Sequence, residues 1–142
     1  RSLNIPHETI DPTMTTRHLT LAYWCLLGAA LLPYLSAWIA KAGAFQPKDN
    51  RSPRDWAARQ QGWRARAIAA QNNGFEGLPL FMAGVLAAHQ FGAAQARIDA
   101  LALAYVLLRV VYISLYIRDK SALRSLVWVA GLAVSLALFF VA

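Results

Sequence analysis

Apolar and polar residues along this chain do not alternate. They separate into four long apolar stretches with polar breaks between them. Residues 19–40 contain no charged side chain, and neither do residues 125–142. A second stretch, 67–91, is interrupted by Gln71, Asn72, Asn73 and Glu76, and a third, 98–117, carries Arg109. About 20 apolar residues let a helix cross the hydrocarbon core, and only a chain whose backbone groups bond internally can lie there. Each stretch therefore predicts a transmembrane helix. With their polar ends included, the helices run over about residues 19–40, 53–91, 96–118 and 121–142. The fold expected is an all-α membrane protein, a four-transmembrane-helix bundle over 19–142 preceded by a polar arm over 1–18.

The helix ends carry their own signals. Pro33 predicts a kink in the first span, and Trp24, Tyr34 and Trp38 suit its interfaces with the headgroups. Ser52-Pro53-Arg54-Asp55 offers a cap, a proline at the first helical position and an acid in the first turn. A continuous helix from Pro53 to Gln90 would measure ~57 Å against a core of ~30 Å, so it is expected to protrude, with Trp56 and Trp63 at its base. Gly92 marks its stop. The segment 1–13, with Pro6 and Pro12 ahead of Met14, reads as a native arm or a cloning remnant and is given no role. Arg17 with Ala40-Lys41-Ala42 resembles a signal peptide and its cleavage site, but the apolar run exceeds the ~7–15 residues of such a region.

Composition and charge sharpen the class. Of 142 residues 58% are hydrophobic and 15% charged, against about 25% charged in soluble domains, and the net charge is +7. Ten basic residues fall in two loops: Lys41, Lys48, Arg51, Arg54, Arg59, Arg64 and Arg66, then Arg118, Lys120 and Arg124. The opposite ends hold Arg1, Arg17 and Arg97. The positive-inside rule puts the basic loops in the cytoplasm and both termini on the other side. That asymmetry accounts for the basic residues without a nucleic-acid partner. Cys25 is single, which excludes an internal disulfide, and it reads as packing. His7, His18 and His89 lack ligand spacing, so no metal site is expected. No Ser/His/Asp order or glycine-rich phosphate loop is present.

Glu76 and Arg109 are the expensive residues, because an ionised group at the bilayer centre costs ~2.5–3.5 kcal/mol on insertion scales. Glu76 lies ~15 Å along its helix from Arg66, and Arg109 ~13.5 Å from Arg118, so the two stand level and an ion pair is expected. Arg66, Asn72, Asn73 and Glu76 fall within an arc of about 120° on the second helix. Tyr105, Arg109, Tyr112 and Tyr116 form a stripe at i, i+4, i+7 and i+11 on the third. Two readings stay open: a polar seam that glues helices together, or a hydrophilic binding cleft open to the basic side.

Gln71-Asn72-Asn73-Gly74-Phe75-Glu76-Gly77-Leu78-Pro79-Leu80-Phe81 resembles the Asn-x-x-Glu-x-x-Pro-Leu-Phe signature of the MAPEG proteins, the membrane-associated proteins of eicosanoid and glutathione metabolism. Arg109-Val110-Val111-Tyr112-Ile113-Ser114-Leu115-Tyr116-Ile117-Arg118 is similar to that family's Arg-x-x-Tyr-x-x-x-Tyr-x-Arg stretch, and Arg124-Ser125 falls where members carry an arginine at the start of helix four. The resemblance implies a homotrimer of four-helix protomers with glutathione as co-substrate, bound between subunits near the cytoplasmic face. Arg66, Asn73, Glu76, Tyr112 and Tyr116 would hold glutathione. Arg124 would stabilise its thiolate, with Ser125 as a second donor, and Arg109 would be a buried structural partner. A neighbouring cation lowers a thiol's pKa, and the start of a helix capped by Ser121 would add partial positive charge. The second substrate would be a lipophilic electrophile or lipid hydroperoxide arriving from the bilayer. Two positions depart from the pattern. Ala69 stands where many eukaryotic members have an arginine, and Gln71 where some have histidine. The alternative function is a non-catalytic membrane subunit or lipid-binding module. A small multidrug transporter is disfavoured, because the first span lacks the buried acid such proteins use.

Overall fold

The computed structural model describes residues 18–141, and all regular structure among them is helical. The expected polar arm over 1–18 lies outside the described residues except for His18. Helix α1 covers Leu21–Lys41, a 3₁₀ turn follows over Pro47–Arg51, and α2 covers Pro53–Ala58. Helix α3 covers Gly62–Gln90, α4 Gln95–Ile117 and α5 Ser121–Ala137. Helices α1 and α4 are long and apolar enough to cross a membrane.

The four long helices pack around a shared seam. Helix α1 lies against α3 and α4, α5 lies against α4 and α3, and α1 does not touch α5. The buried face of α1 is made of small residues, Ala22, Cys25, Ala29, Pro33, Ser36 and Ala40, at helical spacing. Its large side chains point outward: Trp38 is 70% exposed, and Leu27, Leu31 and Leu35 are exposed with it. Helix α5 repeats the arrangement, burying Gly131 and Ser135 and presenting Leu126 and Val129. Small residues inside and large apolar ones outside invert the pattern of a soluble bundle. Helices in lipid gain little from hiding leucine and associate through close backbone packing instead. Gly84 shows how close. A Cβ there would sit 2.9 Å from the Ser135 carbonyl oxygen and 2.9 Å from Leu138 Cβ, so α3 and α5 meet nearly backbone to backbone.

One predicted helix is two. The run from Pro53 breaks after Ala58 and restarts at Gly62, which replaces the single protruding rod with a folded-back loop. The start at Ser52-Pro53-Arg54-Asp55 is as the sequence predicts, although Ser52 makes no side-chain cap. The break has a local cause. Gln60 Nε2 donates to the Trp56 carbonyl at 2.9 Å, taking an acceptor of the last turn, and Gln61 is extended. Gly62 then turns the chain with φ +61°, a conformation other residues rarely adopt. Trp56 is buried and packs edge-on against Phe45 at 5.2 Å, pinning the loop. The fourth helix is also shorter than the expected 121–142. It ends at Ala137, where Phe139 and Phe140 close tight turns on Leu136 and Ala137 at 3.0 Å.

At the opposite end, α4 holds the start of α1. Asp99 Oδ1 accepts from the Ala22 N–H at 2.8 Å and from Gln95 Nε2 at 2.9 Å. This carboxylate supplies from another helix the cap that Thr20 does not make.

Candidate functional site

Between helices α3, α4 and α5, at the end that carries Ser121, lies a cleft of about 400 Å³. Asn73 from α3, Tyr112 and Tyr116 from α4, and Arg124, Ser125 and Trp128 from α5 line it. Five of the predicted site residues therefore meet around one space. The i, i+4 relation of Tyr112 and Tyr116 puts both on the α4 face turned toward α5, their rings edge-to-face at 5.6 Å.

Cations bracket the two tyrosines. The Arg109 guanidinium carbon lies 4.3 Å from the centre of the Tyr112 ring, and that of Arg124 lies 4.1 Å from the centre of the Tyr116 ring. Such contacts contribute about 0.5–2 kcal/mol and hold the guanidinium planes in place. Arg124 sits in the first turn of α5, its N–H bonded to the Lys120 carbonyl at 2.9 Å. The free N–H groups of that turn reinforce its charge toward any anion in the cleft. Lys120, rather than Ser121, occupies the cap position, and no side chain caps the helix. The expected Ser121 cap is thus replaced by Ser121 as the first helical residue.

The expected Glu76–Arg109 ion pair is not formed directly. Both terminal nitrogens of Arg109 donate to Asn73 Oδ1 at 3.1 Å, and Asn73 Nδ2 reaches Glu76 Oε2 at 3.5 Å. Among the described residues the one ion pair is Arg66–Asp119, at 3.9 Å. The displacement follows from side-chain length. The Arg109 stem carries its guanidinium along α4 to Tyr112, toward the polar end. Asn73, nearer that end, becomes its partner, and Glu76 stays exposed.

Arg66 stands apart from the cleft lining. Its Nε donates to the Ile117 carbonyl at 3.1 Å, which ties α3 to the last turn of α4. Asn72 leaves the polar face expected of it. With Gln71 it lines a separate cleft on the α1 and α2 side. Trp128 was not legible as a site residue, because it sits in the uninterrupted apolar run 126–134 of α5, where an inward tryptophan reads like a lipid-facing one. Its place four residues after Arg124 is the one available signal. Among the described residues, no group of three or more His, Cys, Asp or Glu side chains is gathered to hold a metal.

No curated protein and no solved structure matches the chain. A family model described as MAPEG family matches residues 21–142, which takes in every helix that builds the cleft. With that match added to the motifs on α3 and α4 and the arginine opening α5, the chain belongs to the MAPEG family, the membrane-associated proteins of eicosanoid and glutathione metabolism.

Proposed function

We propose that this protein is a glutathione-dependent transferase or peroxidase acting on lipophilic electrophiles or lipid hydroperoxides. In this reading all four long helices span the bilayer, the basic loops face the cytoplasm, and three protomers assemble with glutathione bound between them. The observation that carries it is the meeting of Arg124, Ser125, Asn73, Tyr112 and Tyr116 around one cleft at the start of α5.

The chemistry asks for a thiolate. Arg124 stabilises the sulfur anion by its charge, helped by the N–H groups of the first turn, and the Ser125 hydroxyl donates a second hydrogen bond. Tyr112, Tyr116 and the Asn73 amide supply neutral donors for the peptide, and Glu76 on the rim suits its ammonium. In a transfer, the thiolate sulfur forms a bond to the electrophilic carbon and the leaving group departs with its electron pair. In a peroxidase turnover, sulfur attacks the distal oxygen, the O–O bond breaks, and a proton completes the alcohol. A second glutathione then displaces hydroxide from the sulfenic sulfur, giving the disulfide and water. Arg66 acts here as a positioning residue, keeping the α4–α5 turn, and so Arg124, in place.

Titrating purified protein with glutathione tests the reading. A saturable ultraviolet thiolate band is expected in the wild type and lost in Arg124→Ala. No binding at millimolar glutathione would overturn it in favour of the non-catalytic subunit.

A further inference from the structure

The cleft on the α1 and α2 side, about 510 Å³, takes no part in the proposed chemistry. Lys41 from the end of α1 and Arg54 from the first turn of α2 line it with Gln71 and Asn72 from α3, and no carboxylate does. The positive-inside rule accounts for the side of the membrane these cations take, but it does not ask two of them to share a cleft. The place of Lys41 is fixed. Its Nζ lies 4.5 Å from the centre of the Phe45 ring, which packs on the buried Trp56, itself part of the lining. Toward the middle of the bundle the same seam turns apolar. Lys41, Ala37 and Tyr34 follow at i, i−4 and i−7, one stripe of α1 about 10.5 Å long. Asn72 and Phe75 stand at i and i+3 on α3, and the exposed rings of Tyr34 and Phe75 meet edge-on at 5.4 Å. Beside them the two helices close, because a Cβ on Gly74 would come 2.7 Å from Pro33 Cγ. The seam thus runs from cations through amides to an exposed aromatic pair, in the direction that enters the bilayer.

We infer that this seam binds one anionic glycerophospholipid. Its phosphate lies between Lys41 and Arg54, its glycerol and ester oxygens against the Gln71 and Asn72 amides, and an acyl chain along Tyr34 and Phe75. Charge selects the headgroup. A net negative lipid is matched by the two cations, each contributing about fivefold in affinity near a membrane surface. The trimethylammonium of a zwitterionic lipid meets no carboxylate here. The aromatic pair selects a lipid over a free phosphate, which would leave it unused. The site depends on the bundle standing in a bilayer with its basic end at the headgroups, and not on the glutathione reading.

Native mass spectrometry of the full chain in detergent tests it, with palmitoyl-oleoyl phosphatidylglycerol and the phosphatidylcholine of the same chains as probes. One phosphatidylglycerol per chain is expected to bind about twentyfold more tightly than phosphatidylcholine. Lys41→Gln combined with Arg54→Gln should bring the two lipids within about threefold of each other. Lys48→Gln combined with Arg59→Gln removes the same charge outside the cleft and keeps the full preference. Arg54 is exposed, so Arg54→Gln alone gives a folded reference and should lose about fivefold for phosphatidylglycerol. Tyr34→Ser is expected to weaken both lipids severalfold and leave their ratio unchanged. Equal affinity of the wild type for both lipids would overturn the proposal. So would an equal loss of preference in the two double variants, which is diffuse attraction to the basic face. Displacement of bound phosphatidylglycerol by millimolar inorganic phosphate would make this a soluble-anion site, and displacement by millimolar glutathione would make it part of the thiol site; either result removes the lipid.

Discussion

A guanidinium that is 7% exposed needs acceptors, and on this chain one amide oxygen, Asn73 Oδ1, receives both terminal nitrogens of Arg109. Removing it strands a buried cation, which costs about 2–3 kcal/mol. Asn73→Ala is therefore expected to lower stability by that amount, measured as the shift in the unfolding midpoint in a detergent titration. Glu76 is exposed and touches the network through one 3.5 Å contact, so Glu76→Gln should stay within about 0.5 kcal/mol of wild type. Equal losses in the two variants would restore Glu76 as the counter-ion. At this scale the sequence was legible in membership and not in pairing. Helical spacing put Asn73, Glu76, Arg109, Tyr112 and Tyr116 on facing stripes. It reports where each Cα lies, though, and a long side chain chooses its partner a turn away.

Between residue and bundle, the informative position is Gly62. The sequence around it is polar and contains nothing that forbids a helix from Pro53 onward, which is why the break was not legible. Propensity is a weak prior that local hydrogen bonds override, and here the Gln60 side chain and the buried Trp56 decide. The remaining signal was the glycine itself. Because Gly62 holds φ +61°, Gly62→Ala is expected to cost about 1–2 kcal/mol, and Gly62→Asn, whose side chain tolerates the left-handed region, less than half of that. Unfolding midpoints of the two variants check it. Were the Pro53 helix continuous in solution, alanine would stabilise by ~1 kcal/mol, so the sign alone separates the two geometries. The early end of α5 was hidden for the opposite reason. Its last residues stay apolar to Ala142, and a hydrophobic pattern cannot register where backbone bonding tightens into turns.

At the scale of the whole molecule, charge and packing together set how it meets the bilayer. On α1 and α5 small residues face the seams and large apolar ones face outward, and ten basic residues lie in, or within about one helical turn of, the segments joining α1 to α3 and α4 to α5. Both segments lie at one end of the antiparallel bundle, so a single orientation satisfies the positive-inside rule at both. Helix α5 is the shortest, at about 25 Å by its rise, less than the ~30 Å hydrocarbon core. In the proposed four-span arrangement it would cross only with help from Phe139, Phe140 and flanking residues at the boundary, or with local thinning of the bilayer. Sidedness can be read with single cysteines in a Cys25→Ala background, which removes the chain's one native thiol. Asp49→Cys, in the long basic loop, should resist a membrane-impermeant maleimide applied to intact cells and react once they are opened. Gln95→Cys, at the start of α4, should react from outside before lysis. Reversal of both would invert the topology and carry Arg124 to the far side of the membrane. Outside reaction at both would mean that α3 does not cross, and its polar residues at Asn72, Asn73 and Glu76 would then have failed to find the neighbours that make crossing affordable.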